Sequence, residues 1–161
     1  MTYVFEALTT DICAAWRAGG PDANGKPPER AASDGGGNPC RHCLNDIPAG
    51  RQMLILAHRP FTHINPYAEI GPIFICAACE RLADSKTLPP VLASRARHLL
   101  KGYSSRDRIV GGTGEIVETA NIAAYVDRVF SNPAVKFIDV RSSANNCFTL
   151  RINRKTEEAA T

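Results

Sequence analysis

Long apolar runs are missing from this 161-residue chain. The longest stretches, Met53 to Ala57 and Ile73 to Ala78, fall far below the roughly 20 residues that a helix needs to cross a bilayer, so no membrane-spanning helix is expected. An excess of one charge is missing too. Nineteen basic residues face sixteen acidic ones, leaving +3, well short of the dense basic stripe that neutralises many phosphates, so nucleic acid is not an expected partner. Near the N-terminus, Glu6 stands where a signal peptide would carry its apolar run, and the expectation is a cytoplasmic protein. Familiar catalytic motifs are absent as well. His42, His58, His63 and His98 form no H-E-x-x-H, no G-x-S-x-G element occurs, and Gly111 to Gly114 are not followed by the Lys-Ser/Thr of a phosphate-binding loop. Catalytic residues therefore stay unassigned, and whether the protein is an enzyme stays open.

What is present suits one globular domain. With 44% hydrophobic and 22% charged residues, the composition predicts a single α+β domain over residues 1–156 and a frayed tail over 157–161. Tyr3 and Phe5 alternate with Val4 and Glu6 in a short strand, after which Thr9 or Thr10 can cap a helix reaching about Ala18 before Gly19-Gly20. Residues 19–39, rich in glycine and proline, predict a surface loop. Arg51 to His58 and Ile70 to Cys76 read as strands with apolar residues on both faces. Leu88-Pro89-Pro90 introduces a predicted helix from Val91 to Leu100, closed by Gly102, with Arg95, Arg97 and Lys101 on its solvated face. Arg108 to Val110 and Glu115 to Val117 predict a hairpin about the glycine run, and Thr119 opens a helix carrying Ile122, Tyr125, Val126, Val129 and Phe130. Side-chain parity predicts a C-terminal hairpin pairing Val140 with Phe148 and Ile138 with Leu150, which sets Asp139 opposite Thr149.

Four of the six cysteines carry the strongest signal. Cys40-Arg41-His42-Cys43 and Cys76-Ala77-Ala78-Cys79 are two C-x2-C pairs separated by 32 residues. A two-residue gap lets one tight turn aim both sulfurs at one cation, and two pairs supply the four thiolates of a closed tetrahedral zinc site. Two predicted strands fill the spacer, and a helix is expected from Ala77 to about Ala83. That order of elements is treble-clef-like. A redox dithiol made of Cys76 and Cys79 remains a competing reading, as do buried unliganded thiols, whereas disulfides are rare in the expected compartment. Cys13 and Cys147 read as small packed residues.

Pro39-Cys40-Arg41-His42-Cys43-Leu44, then Pro66-Tyr67-Ala68-Glu69-Ile70-Gly71-Pro72-Ile73-Phe74, then Gly102-Tyr103 followed by Asp107-Arg108, occur in an order that resembles the bacterial family catalogued as domain of unknown function 1203. The resemblance spans most of the chain and brings no assigned activity with it. The family pattern has a histidine soon after the G-P-I-F segment and one cysteine a few residues later, where this chain has Cys76 and Cys79. A His-for-Cys exchange is natural at a zinc ligand and awkward for a dithiol pair. His42, between two cysteines, is the residue that could replace Cys76 as fourth ligand.

Arg41, Tyr67, Glu69 and Arg141 are candidates for a polar, anion-holding pocket beside the cysteines. The resulting expectation is an α+β fold, a small mixed or antiparallel sheet flanked by three or four helices, with a structural Zn2+ on Cys40, Cys43, Cys76 and Cys79. The expected role is a binding or adaptor protein whose partner is another protein or a small anionic ligand. The alternative is an enzyme, either a dithiol oxidoreductase using Cys76 and Cys79 or one acting on a small anionic substrate with Glu69, Arg41 and Arg141.

Overall fold

Alternating inward and outward side chains make strands the main regular element of the chain. The structure is a computed structural model that describes residues 2–155. Its elements are β1 (Thr2–Glu6), α1 (Thr10–Arg17), β2 (Glu29–Ala32), β3 (Gln52–His58), β4 (Gly71–Cys76), the one-turn α2 (Pro90–Ala93), β5 (Arg97–Tyr103), β6 (Glu115–Glu118), a 3-10 turn leading into α3 (Ile122–Phe130), β7 (Phe137–Ser142) and β8 (Phe148–Lys155). Five strands form one sheet in the order β1-β8-β7-β5-β6, and three form a second in the order β2-β3-β4. Every strand pair is antiparallel. The expectation of an α+β fold thus holds in part: the pairing is antiparallel, but the strands form two sheets rather than one small sheet, and of the three α-helices among the described residues one is a single turn.

Each sheet buries one apolar face. Phe5, Leu100, Ile138, Val140, Leu150 and Ile152 of the larger sheet join a core with Val126, Val129 and Phe130 of α3. The periodicity of α3 puts these residues on one side of the helix, as helical spacing requires. A second core gathers Leu54, Leu56, Ile73 and Ile75 of the smaller sheet with Cys13 and Trp16 of α1 and with Phe148 of β8. Thr9 caps α1 by accepting from the Ile12 N–H, and the helix turns Cys13 and Trp16 inward.

Four sequence expectations are corrected. The helix expected from Val91 to Leu100 is one turn, after which β5 runs with His98, Leu100 and Gly102 buried in alternation. Leu92 and Leu100 fit either period, and pairing with two neighbouring strands decides for the strand. Gly102 does not end a helix: it lies within β5, where an added Cβ would sit 3.1 Å from both Thr113 and Val135 side chains. The hairpin expected about Gly111 to Gly114 is not formed, because β6 pairs with β5 and Ile109 makes only an isolated bridge to Tyr103. Within the expected loop over residues 19–39, Glu29–Ala32 adds an edge strand to β3. Its side chains are mostly exposed, so no apolar pattern announces it. The Asp22 carboxylate, which accepts backbone N–H bonds from Asn24, Lys26 and Ala57, orders the preceding turn.

The fourth correction concerns the C-terminal hairpin. Its strands pair as expected in parity but two residues out of register, with Val140 opposite Leu150 and Ile138 opposite Ile152. Arg141 faces Phe148, so Thr149 is an extra residue between two paired ones, a β-bulge. The shift sets Asp139 opposite Arg151 instead of Thr149. The tail expected over 157–161 lies outside the described residues.

Candidate metal centre

A tight turn sets the first cysteine pair. The Leu44 N–H donates to the Cys40 carbonyl at 3.1 Å and Leu44 adopts a φ of 54°, which directs its fully buried side chain into the main core. Cys40 bridges to Phe74 of β4, so the turn is fastened beside the strand that ends in Cys76. The second pair leaves β4 as a second turn. No helix follows it among the described residues, so the treble-clef expectation, with a helix over Ala77 to Ala83 and its dipole facing the sulfurs, is corrected to two turns against one sheet.

The four sulfurs converge. All lie within 4.8 Å of one another, with Cys40 to Cys79 at 3.8 Å and Cys43 to Cys76 at 3.9 Å. A tetrahedral ion with metal–sulfur bonds of about 2.3 Å has sulfurs about 3.8 Å apart along each edge, so these cysteines fit one ion. They do not fit disulfides, whose sulfurs lie about 2 Å apart, and all six cysteines are free. Tetrahedral sulfur coordination suits zinc or iron.

Local electrostatics favour the thiolate at Cys40. Backbone N–H groups of His42, Cys43 and Cys76 point at the Cys40 sulfur at 3.4, 3.5 and 3.3 Å. Contacts with the Cys43, Cys76 and Cys79 thiols, aided by the backbone bond from Cys43, hold the Cys40 thiol far below its ordinary range. Cys76 and Cys79 are pushed the opposite way, first by contact with Cys40 and then with Cys43. Crowded sulfurs resist ionising together unless a cation neutralises them.

Residues outside the two turns complete the surroundings. Arg17, in the last turn of α1, donates to the Cys79 sulfur at 3.2 Å and grips the Cys76 carbonyl through two N–H bonds of 3.0 and 3.1 Å. Its spacing in the sequence gives no hint of this, because the contact spans 59 residues. His42 is buried, with Nδ1 3.4 Å from the Cys79 sulfur and Nε2 3.1 Å from the Thr10 hydroxyl. Burial, then the Arg17 charge, lowers its pKa. The four sulfurs meet without His42 as a ligand.

The four residues expected to share a polar pocket are divided among three places. Arg141 and Glu69 meet at 3.3 Å, with Lys101 3.7 Å from the same carboxylate, beside a cavity of about 180 Å3 that His58, Asn146 and Cys147 also line. Arg41 lines an adjoining cleft, which shares Pro72, Asn145 and Cys147 with that cavity. The Tyr67 ring lies apart from both, 5.4 Å from the Arg108 guanidinium.

Sequence reasoning missed one buried pair. Arg151 donates to both carboxylate oxygens of Asp139 at 2.7 and 3.1 Å, and Asp139 is fully buried. No signal short of the bulge at Thr149 could have paired them. No helix among the described residues is long and apolar enough to cross a membrane.

No curated protein and no solved structure matches the chain. The G-P-I-F strand, the two C-x2-C turns and the G-Y step of β5 all fall within residues 37–154, and over that span the chain belongs to the family described as Protein of unknown function (DUF1203).

Proposed function

We propose that Cys40, Cys43, Cys76 and Cys79 hold one structural zinc ion and that the protein is a zinc-containing binding module. The observation that carries this reading is the convergence of four sulfurs within 4.8 Å from two turns 32 residues apart. Four protein thiolates fill a tetrahedron and leave no position for substrate, which distinguishes a structural site from a catalytic one. When bound, zinc contributes its binding energy to folding. The residues around it do the rest. Arg17 offsets part of the negative charge of four thiolates, and the N–H groups converging on Cys40 favour its ionised form.

The metal would tie the Cys40 turn to the end of β4, adding to the isolated bridge, the Arg41-to-Phe74 backbone bond and the Cys76 N–H bond to the Cys40 sulfur that already join them. A dithiol oxidoreductase is the weaker reading, because sulfur contacts of 3.8 and 3.9 Å cross between the two pairs rather than uniting Cys76 with Cys79 alone. A reducing, cytoplasmic setting is part of the proposal, since it keeps such thiols available for metal. The bound partner would be a protein or a small anionic ligand.

Metal analysis tests the reading directly. Protein purified without added metal or chelator is expected to carry about one zinc per chain, to lose it to a strong chelator, and to lose its cooperative unfolding transition with it. Cys79→Ser is expected to lower metal content and stability together. Metal-free protein that unfolds cooperatively, with Cys76 and Cys79 cycling between thiol and disulfide, would overturn it.

A further inference from the structure

Arg41 sits between two metal-site cysteines but points away from them. Its backbone belongs to the Cys40 turn, while its side chain crosses to the larger sheet, where Nε donates to the Phe148 carbonyl at 2.8 Å and Nη1 to the Pro39 carbonyl at 2.6 Å. A guanidinium has five N–H donors, and those of Nη2 make no hydrogen bond among the described residues. Arg41 is 3% exposed, yet no carboxylate of the described residues forms an ion pair with it. Buried charges are ordinarily paired, because an isolated one loses its hydration without compensation.

The side chain opens onto a cleft of about 750 Å3 between the two sheets. The cleft is lined by Arg41, Arg95 and Arg97 and by no aspartate or glutamate. Arg95 is committed to Asp46 at 2.9 Å, but Arg97 touches Glu118 only at 3.8 Å with both side chains more than half exposed, so it is free to turn. Thr149, the bulge residue of β8, also lines the cleft; it is 6% exposed, and its hydroxyl makes no hydrogen bond among the described residues. Bulges commonly re-aim a side chain at a site in this way. The lining also has apolar members, of which Phe74 is the largest, its ring 5.8 Å from the Arg41 guanidinium. The volume falls within the range of small-molecule sites, which combine an apolar body with a few convergent polar groups.

We infer that this cleft binds a small organic anion, its carboxylate or phosphate group held by Arg41 Nη2, the Thr149 hydroxyl and Arg97, and its flat apolar body resting on Phe74. The inference rests on the reading of the Cys40 turn as metal-held, since that turn fixes the backbone from which Arg41 reaches the cleft. It assigns the binding role to the face of the turn turned away from the metal, and it replaces Glu69 and Tyr67 by Thr149 and Arg97 in the anion site.

Phenyl phosphate and benzoate, titrated separately by calorimetry into the metal-loaded full chain, test the assignment, with benzyl alcohol as the neutral control. At least one of the two anions is expected to bind saturably and to slow alkylation of Cys147, which lines the same cleft, while benzyl alcohol does neither. Arg41→Lys is expected to weaken binding at least about tenfold, the effect of losing one charge-assisted hydrogen bond. Because Arg41 also ties the sheets together, Thr149→Val and Arg97→Gln carry the same test on side chains without that duty, each with a several-fold loss. Binding of neither anion, or binding that all three variants leave unchanged, overturns the assignment. Metal content measured on the same samples separates the two readings: zinc-loaded protein that binds neither anion defeats only the cleft, and zinc-free protein that binds one defeats only the metal.

Discussion

The Arg41 guanidinium reaches the Phe148 backbone carbonyl at 2.8 Å across 107 residues of sequence, and so fastens the cysteine turn of the small sheet to β8 of the large one. Phe148 itself packs into the second core with Trp16 and Leu54. One side chain therefore links the first cysteine turn, the bulged strand and the apolar layer between the sheets.

Removing that link should be costly. Arg41→Met would leave the Phe148 and Pro39 carbonyls without their donors in a buried setting, each worth about 1–3 kcal/mol when unsatisfied. The expected loss is about 2–4 kcal/mol in urea unfolding of the metal-loaded protein. A loss below about 0.5 kcal/mol would show that water replaces the guanidinium at both carbonyls.

Thiol reactivity should separate the six cysteines. Cys13 is fully buried, and burial pushes its pKa up to about 11, which leaves little thiolate to react. Cys147 is partly exposed and stands outside the cluster. Brief alkylation of the native, metal-loaded protein should therefore modify Cys147 alone, and added chelator should open Cys40, Cys43, Cys76 and Cys79. Mass spectrometry of the alkylated peptides reads the result, and rapid modification of Cys76 or Cys79 before chelation would contradict metal ligation.

Acid should weaken the fold through His58. Burial, and then the charges of Arg151 and Arg41, pull its imidazole from the usual 6.5 down to about 4. It packs as a neutral ring between Trp16 and Phe148, 5.4 and 5.8 Å from their ring centres. Below pH 6.5 the unfolded chain binds a proton that the folded protein refuses, so the stability from this group is complete above that pH. It disappears as the pH falls toward 4. The full effect is about 3 kcal/mol. His58→Phe keeps an aromatic ring without the proton, and its unfolding free energy should fall less than that of the unchanged protein between pH 7 and 4.5. Parallel slopes for the two proteins would exclude His58 as the source.

The Asp139–Arg151 pair should show the asymmetry of a buried ion pair. Burial raises the Asp139 carboxyl pKa even with Arg151 against it. Arg151→Met leaves that carboxyl with no cation in contact and also removes a guanidinium 3.7 Å above the Phe137 ring, so a loss of about 3–5 kcal/mol is expected. Adding Asp139→Leu should recover part of it. A double variant no more stable than Arg151→Met would mean that the ring contact, not the unpaired carboxylate, accounts for the loss.

Local features were legible wherever neighbours in sequence decide them. Thr9 and the apolar residues that follow it announce α1, the spacing from Ile122 to Phe130 announces α3, alternation announces β1, and short apolar runs announce β3 and β4. The two C-x2-C pairs specify a soft, four-sulfur donor set by their composition alone, because a two-residue gap aims both thiols one way whatever the rest of the chain does.

Other features depend on partners far along the chain. Whether Arg97 to Leu100 is helix or strand turned on β6 and β7 being there to pair with it. The C-terminal register lies two residues from the expected one, an even shift to which side-chain parity is blind, and with it the meeting of Asp139 and Arg151. The scattering of Arg41, Tyr67 and Glu69 has the same origin, since no spacing rule says which side of a sheet a loop will cross. The residues of this protein thus determine by themselves what its cysteines can bind. Only the tertiary structure, through strand pairing and packing between distant segments, decides that the four sulfurs share one point and that Arg41 faces away from it into an open cleft.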